Sequence, residues 1–244
     1  MLTVDFRLFR VRGGERVLDV GCGPGRHSWY VCKLDHCSVH AMDYDLESLQ
    51  KARYMFGMMD SDNLSKGKWN VLRGDAMKMP FKDGTFDKII CSEVLEHVVD
   101  EEQGVRELVR VLKDDGEVAV SVPAYLPETI CWGLSEKYHT NPGGHIRIYR
   151  QQQLIELLCR NGLAVHAVRH KHAYHSVYWI LRCAFGVRNE RAAVPALYRK
   201  FLTWDMEKKY PFFESLEGAL DGFFAKSVVV YLKKDLNRPA RAAS

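Results

Sequence analysis

Short apolar runs rich in β-branched residues recur along the chain and alternate with stretches that have the pattern of helices. RVLDV (16–20), SVHAMD (38–43), WNVLRG (69–74), FDKIICS (86–92) and GEVAVSV (116–122) read as strands, and AVHAV (164–168) and KSVVVYL (226–232) follow. Residues 26–35, 45–57, 100–112 and 150–161 read as helices. Near-continuous apolar runs suit strands buried on both faces, and their alternation with helices predicts βαβ units. The expected fold class is therefore α/β, a doubly wound and mostly parallel sheet.

Two stretches break the rhythm. Residues 123–145 carry prolines and a Pro-Gly-Gly turn, which predicts a long loop with one short helix. Residues 172–222 separate the sixth strand from the last and are expected to be a helical insertion, set into a core made of 1–171 and 223–236. Residues 237–244 are expected to form a flexible tail. The 244 residues, 47% hydrophobic, suffice for a sizeable core without disulfide or metal staples. Seven scattered cysteines with no CxxC suit reduced thiols and a cytoplasmic location. Asp5, Arg7 and Arg10 interrupt any signal-peptide pattern. No apolar stretch approaches the roughly 18 residues of a membrane span. The net charge of +4 gives no indication of nucleic-acid binding.

The first predicted strand runs into GCGPGR, with glycines at 21, 23 and 25 and Arg26 next. A dinucleotide fingerprint would place a glycine at position 26 for close packing beside a pyrophosphate. G-x-G-x-G still lets the backbone approach a ligand, with helix N–H groups behind it. Asp43 ends the second strand, where a carboxylate accepts hydrogen bonds from both hydroxyls of a ribose. Asp75 follows the third strand and is placed to meet the amino edge of an adenine. The expected ligand contains an adenosine and lacks phosphates. Asp45 is the expected helix cap, which leaves Asp43 available. The methionines at 55, 58, 59, 77 and 79 are expected to fill the core or line the adenine pocket.

VLDVGCGPG, the strand-end Asp43, GDAMKMPF and FDKIICSEVLEHV together resemble the class I S-adenosylmethionine-dependent methyltransferases, and most of all the type 11 group that includes ubiquinone, menaquinone and sterol C-methyltransferases. The resemblance covers residues 13–168 in order and resumes at 226–233. It implies a Rossmann-like sheet of seven strands with the last antiparallel, S-adenosyl-L-methionine as cofactor and S-adenosyl-L-homocysteine as product. It also implies that Asp19, Gly21, Gly23 and Gly25, with Cys22 among them, surround the methionine part. Asp43, followed by Tyr44, would hold the ribose. Asp75 and Ala76 would face the adenine, and Ser92, Glu93 and His97 would lie beside the sulfonium.

Methyl transfer from a sulfonium needs mainly alignment and exclusion of water, with a base only where the acceptor keeps its proton at neutral pH. The candidate bases are His97, His139 and His145, with Tyr125 and Glu93 behind them. GHIRIY resembles a family segment, GHxRxF, in which His and Arg brace a loop, so His145 and Arg147 have a structural reading as well. Residues 160–200 hold eight Lys or Arg against one acid, Glu190, around the aromatic stretch AYHSVYWILRCAFG. Such a segment suits a lipid-shaped acceptor, peripheral contact with a membrane, a homodimer contact or a lid packed on the core. The histidines at 166, 170, 172 and 175 lack a Cys or acid to complete a ligand set, so no metal is expected. The sequence thus points to a methyltransferase acting on a small acceptor, hydrophobic or lipid-linked. A non-catalytic adenosyl-binding regulator and an NAD-binding oxidoreductase are the competing readings, the latter disfavoured by Arg26.

Overall fold

The predicted strands pair in one sheet. The computed structural model describes residues 2–34, 36–140, 143–189, 191–208 and 210–236, so the expected tail at 237–244 lies outside the described residues. The strands are β1 (Arg16–Val20), β2 (Ser38–Asp43), β3 (Lys68–Arg73), β4 (Phe86–Ser92), β5 (Leu112–Pro123), β6 (Leu163–Lys171) and β7 (Ser227–Lys234), in the spatial order β3-β2-β1-β4-β5-β7-β6. β1 pairs in parallel with β2 and β4, β2 with β3, and β4 with β5. β7 enters antiparallel between β5 and β6, as expected.

Alternate residues of each strand feed two cores. Leu18, Val20, Ile89, Cys91, Val118, Val120, Val230 and Leu232 face α3 (Glu101–Val111) and α6 (Gln151–Arg160), which contribute Val105, Leu108, Leu154 and Leu158. Val17, Val39, Ile90, Ala119, Val229 and Tyr231 face α1 (Arg26–Leu34) and α2 (Leu46–Ser61), which contribute Val31, Phe56 and Met59. Asp45 caps α2 by accepting from the Ser48 N–H at 2.9 Å, and Asp100 caps α3 through Gln103 at 2.9 Å.

Three elements differ from the sequence expectation. α2 runs on to Ser61 because Gly57 lies within the helix and does not end it. The segment after β5 is helical, with α4 (Tyr125–Leu134) and the single turn α5 (Glu136–His139) in place of a long loop with one short helix. Pro127 falls in the first turn of α4, where a missing N–H breaks no intrahelical bond. The insertion forms α7 (Ala173–Ala184), α8 (Ala193–Lys208) and α9 (Pro211–Phe224), two residues longer than its expected end at 222. Among the described residues no helix is long and apolar enough to cross a membrane.

The first residues strap the molecule from outside. His27 Nε2 accepts the N–H groups of Thr3 (3.1 Å) and Val4 (3.4 Å), and burial with the nearby Arg26 charge pushes its pKa down to about 4. The neutral ring is what makes that acceptor available. Tyr231, fully buried in β7, accepts the Asp5 N–H at 2.7 Å through its hydroxyl. Tyr231→Phe leaves this N–H without its partner. It is expected to lower the unfolding free energy by about 1–2 kcal/mol in urea titrations with little change in far-UV circular dichroism.

Candidate active site

Chain direction opens a crevice at the carboxyl ends of β1 and β4. From β1 the chain passes to β2 on one side, while β4 pairs on the other, so the loops after the two strands diverge there. Gly21 follows β1 with φ +63°, and a Cβ on it would overlap the Val94 side chain from the loop after β4. Only glycine permits both the conformation and the approach. Glu93, directly after β4, is itself left-handed at φ 58°. It is pinned there by its N–H to the Ser121 carbonyl (2.9 Å) and by the Ser121 hydroxyl donating to Oε1 (3.1 Å).

Two cavities meet at Gly21, Glu93 and Gly143. The first, about 680 Å³, runs over the ends of β1–β3 and is lined by Val20, Met42, Asp43, Tyr44, Asp75, Ala76, Met77, Val94, His97 and Val98. The second, about 780 Å³, lies beneath the inserted helices. Cys22, Gly23, Ser92, His145, Lys226 and His175 line it with Tyr138, Trp179, Val187 and Met206. Thr3 and His27 close one side.

The predicted residues distribute over both cavities. Asp43 Oδ2 accepts from the Gly23 N–H (2.7 Å) and Oδ1 from the Asp45 N–H (2.8 Å), which fixes its carboxylate against the glycine loop. Tyr44 is exposed on the rim with the Arg73 guanidinium over its ring. Asp75 Oδ1 accepts from the Met77 N–H at 2.8 Å. Asp19 lines neither cavity. It is 1% exposed and accepts from both the Ser28 N–H (3.1 Å) and Ser28 Oγ (2.5 Å), tying β1 to α1. Gly25 belongs to the same turn, outside both linings. His139 stacks on Trp132 at 4.3 Å and also lies outside both linings. Tyr125 bonds Arg150 on another face, beside a separate cavity of about 160 Å³. These two candidate bases are not brought to the crevice, because α4 and α5 turn them away from it.

His145 is brought there. Its Nδ1 lies 2.5 Å from Glu128 Oε1, and its ring packs edge-on against His97. Burial would raise the Glu128 carboxyl, but the His145 hydrogen bond, the Lys226 charge and the Trp132 N–H outweigh it and hold the group below its ordinary value. Glu96, wholly buried, goes the other way. Burial first and the Glu93 charge second push it well above the carboxylate range, and neither oxygen has a hydrogen-bond partner among the described residues. Glu96, His97 and His145 each bring one polar atom within 4.8 Å of the others. Burial and the neighbouring His145 lower the His97 pKa.

Several members of this cluster were missed in the sequence. Lys226 reaches Glu93 Oε2 (3.8 Å) and Glu128 Oε2 (3.9 Å), and Tyr138 donates to Glu128 Oε2 (3.2 Å). They come from the approach to β7, from α4 and from α5, and no local pattern relates them. Arg147 takes its structural reading, donating to the carbonyls of Leu95, Val98 and Val99 and pairing with Glu101. It thereby holds the 95–99 turn that carries His97. One expectation is corrected: α9 brings Glu217 to His172 and His175, so an acid does complete a set with two of the insertion's histidines. They lie on separate helices, which is why the sequence concealed it.

Residues 18–120 match the family model of a methyltransferase domain. The sterol 24-C-methyltransferase of Saccharomyces cerevisiae is 31% identical over 144 residues, 59% of this chain and 34% of its own length. The methyltransferase GfsG of Streptomyces halstedii is 32% identical over 111 residues, 46% of this chain and 38% of its own. The chain thus spans about a third of the length of these curated relatives. Among solved structures, the YcgJ protein of Bacillus subtilis superposes with a TM-score of 0.59 at 21% identity over 94% of this chain and 96% of that one, a likeness of fold.

Burial pushes the Asp19 carboxyl up to about 7 against both Ser28 hydrogen bonds, with the Asp43 charge adding to the rise. Between the ordinary aspartate value near 4 and about 7, the folded chain keeps a proton that the unfolded chain has lost. Stability from this group is full below that window and falls as pH rises through it. Asp19→Asn is expected to flatten the loss of stability between about pH 4 and pH 7, read from urea midpoints across the range. An unchanged pH dependence would show that Asp19 folds ionised.

Proposed function

From a core that is a class I S-adenosylmethionine-dependent methyltransferase domain, we propose that this chain methylates a small acceptor with an apolar body and one polar group. The observation that carries the reading is the pair of cavities joined at Gly21 and Glu93, one edged by strand-end carboxylates and the other by aromatic side chains. The residues fit the cofactor. A Cβ would fill the cradle at Gly21, Asp43 and Asp75 stand at consecutive strand ends, and Met42, Met77, Val94 and Val98 supply apolar walls.

In this reading Asp43 receives the ribose hydroxyls, with Tyr44 at the rim. Asp75 and Ala76 meet the adenine, and Gly21, Gly23 and Glu93 border the methionine end. Cys22 and Ser92 face the acceptor side. Asp19 and Gly25 act through the turn they hold. S-adenosylmethionine, when bound, supplies a methyl group activated by the sulfonium charge. The chain's own residues align the acceptor, exclude water and take its proton. Glu128, kept ionised, holds the proton on His145 Nδ1 and directs the lone pair of Nε2 toward the acceptor. Lys226 balances the charge of Glu93 and Glu128.

Tyr138, Trp179, Val187 and Met206 favour a hydrophobic acceptor body. The yeast relative is named for a sterol, which supports the same class. α9 exposes Phe212, Leu216, Leu220 and Phe223, a face suited to meeting a lipid surface from which such an acceptor is drawn. Transfer of radiolabelled methyl from S-adenosylmethionine into fractionated extract of the native cell tests this. Label in the organic-solvent fraction supports a lipid-like acceptor, and label confined to aqueous small molecules or protein rejects it.

Asp43→Ala is expected to weaken S-adenosylhomocysteine binding at least about tenfold in calorimetry, through loss of a charge-assisted contact. His145→Gln is expected to lower kcat by about a hundredfold with little change in S-adenosylhomocysteine affinity. An unchanged kcat would assign His145 to bracing alone.

A further inference from the structure

The insertion contains a polar cluster that the proposed reaction does not use. His172 and His175 stand at the start of α7, and Glu217 comes from the middle of α9. One ligand-capable atom of each lies within 4.8 Å of the other two. We propose that these three side chains form a binding site for a zinc-like divalent transition metal, which clasps α9 to α7 at the wall of the acceptor cavity. Two imidazoles and one carboxylate are the donor set that such metals take, with a fourth position left for water.

The surroundings of the cluster fit that role. His172 Nε2 lies 3.1 Å from the Leu2 carbonyl, which can only accept, so Nε2 carries the proton and Nδ1 presents its lone pair. A backbone carbonyl fixing the outer nitrogen is the usual support for a metal-bound histidine. His175 Nδ1 is buried with no hydrogen-bond partner among the described residues. His172 is left-handed at φ 73°, a conformation that an imidazole residue holds at a cost and that aims its ring at His175 across 5.7 Å.

The packing of α9 supplies the reason for a clasp. None of its fourteen residues is buried. It is held by Phe213 packing on Phe201 and Trp204, and by polar contacts to the α7 start, where Glu217 accepts from the Tyr174 N–H (3.2 Å) and Asp221 from the Ala173 N–H (2.8 Å). With so little apolar area removed from water, a metal bridging the two helices would supply the missing order. His175 also lines the acceptor cavity, so the same ion would fix part of that wall.

Cobalt(II) titration of the untagged full chain, followed by its ligand-field absorption, tests the site. One equivalent is expected to bind with the bands of a four-coordinate centre. Its affinity should fall at least about tenfold in both His175→Gln and Glu217→Gln. Glu217→Gln keeps an amide oxygen for the Tyr174 N–H and so guards against a merely structural loss. His97→Gln should leave cobalt binding unchanged. Absence of binding, retained affinity in either insertion variant, or loss in His97→Gln would overturn the proposal.

Discussion

The loop after β1 and the loop after β4 approach each other so closely that Gly21 has no room for a Cβ beside Val94. Both sides of that contact adopt left-handed backbone, Gly21 at no steric cost and Glu93 against its preference. Ser121 of β5 holds Glu93 there with two hydrogen bonds, so strain at the crevice is absorbed by a fully buried residue of a third strand. The two cavities share this seam. Were the loops farther apart, the cavities would merge into one wet cleft, and alignment of two reactants across a narrow passage would be lost.

Charge is organised around the same seam. Three carboxylates, Glu93, Glu96 and Glu128, converge on one ammonium, Lys226. One cation does not neutralise three anions, and the resolution differs at each. Glu128 gathers His145, Trp132 and Tyr138 and remains charged. Glu96 gathers no side-chain hydrogen bond among the described residues and is driven toward its neutral form. A charged and a proton-retaining carboxyl therefore lie behind the lining, on either side of Lys226's charge.

The sheet was legible because each strand carries its burial in its own residues: Ile89, Ile90 and Cys91 are apolar on both faces since helices cover both faces. The glycine loop, Asp43 and Asp75 were legible for a related reason, as strand ends followed by small or acidic residues occupy one edge of such a sheet. The rest of the crevice depends on contacts between distant segments. Glu128 and Tyr138 arrive on helices hidden by the Pro127 and Pro142 signals in the sequence, and Lys226 arrives with an antiparallel strand more than a hundred residues beyond the loops it meets. His139 and Tyr125 carry suitable chemistry on the same helices yet face elsewhere. Side-chain type announces what a residue is able to do, and only helix phase decides where it does it.

Stability is unevenly spread across these parts, and that bears on how an acceptor enters. The strand residues of β1, β4 and β5 next to the crevice are mostly buried, whereas the insertion's wall rests on α7, which buries Ala173, Tyr174, Ser176 and Cys183, and on Met206 of α8. Local opening free energy follows buried contact, so the insertion is the part of the cavity able to move while the cofactor side stays fixed. Cys131 of α4 and Cys183 of α7 are both buried where those helices pack, which ties α7 to α4. Trp179 of α7 and Met206 of α8, rather than α9, face the second cavity, so its insertion side is held through α7 while Gly21 and Glu93 border both cavities.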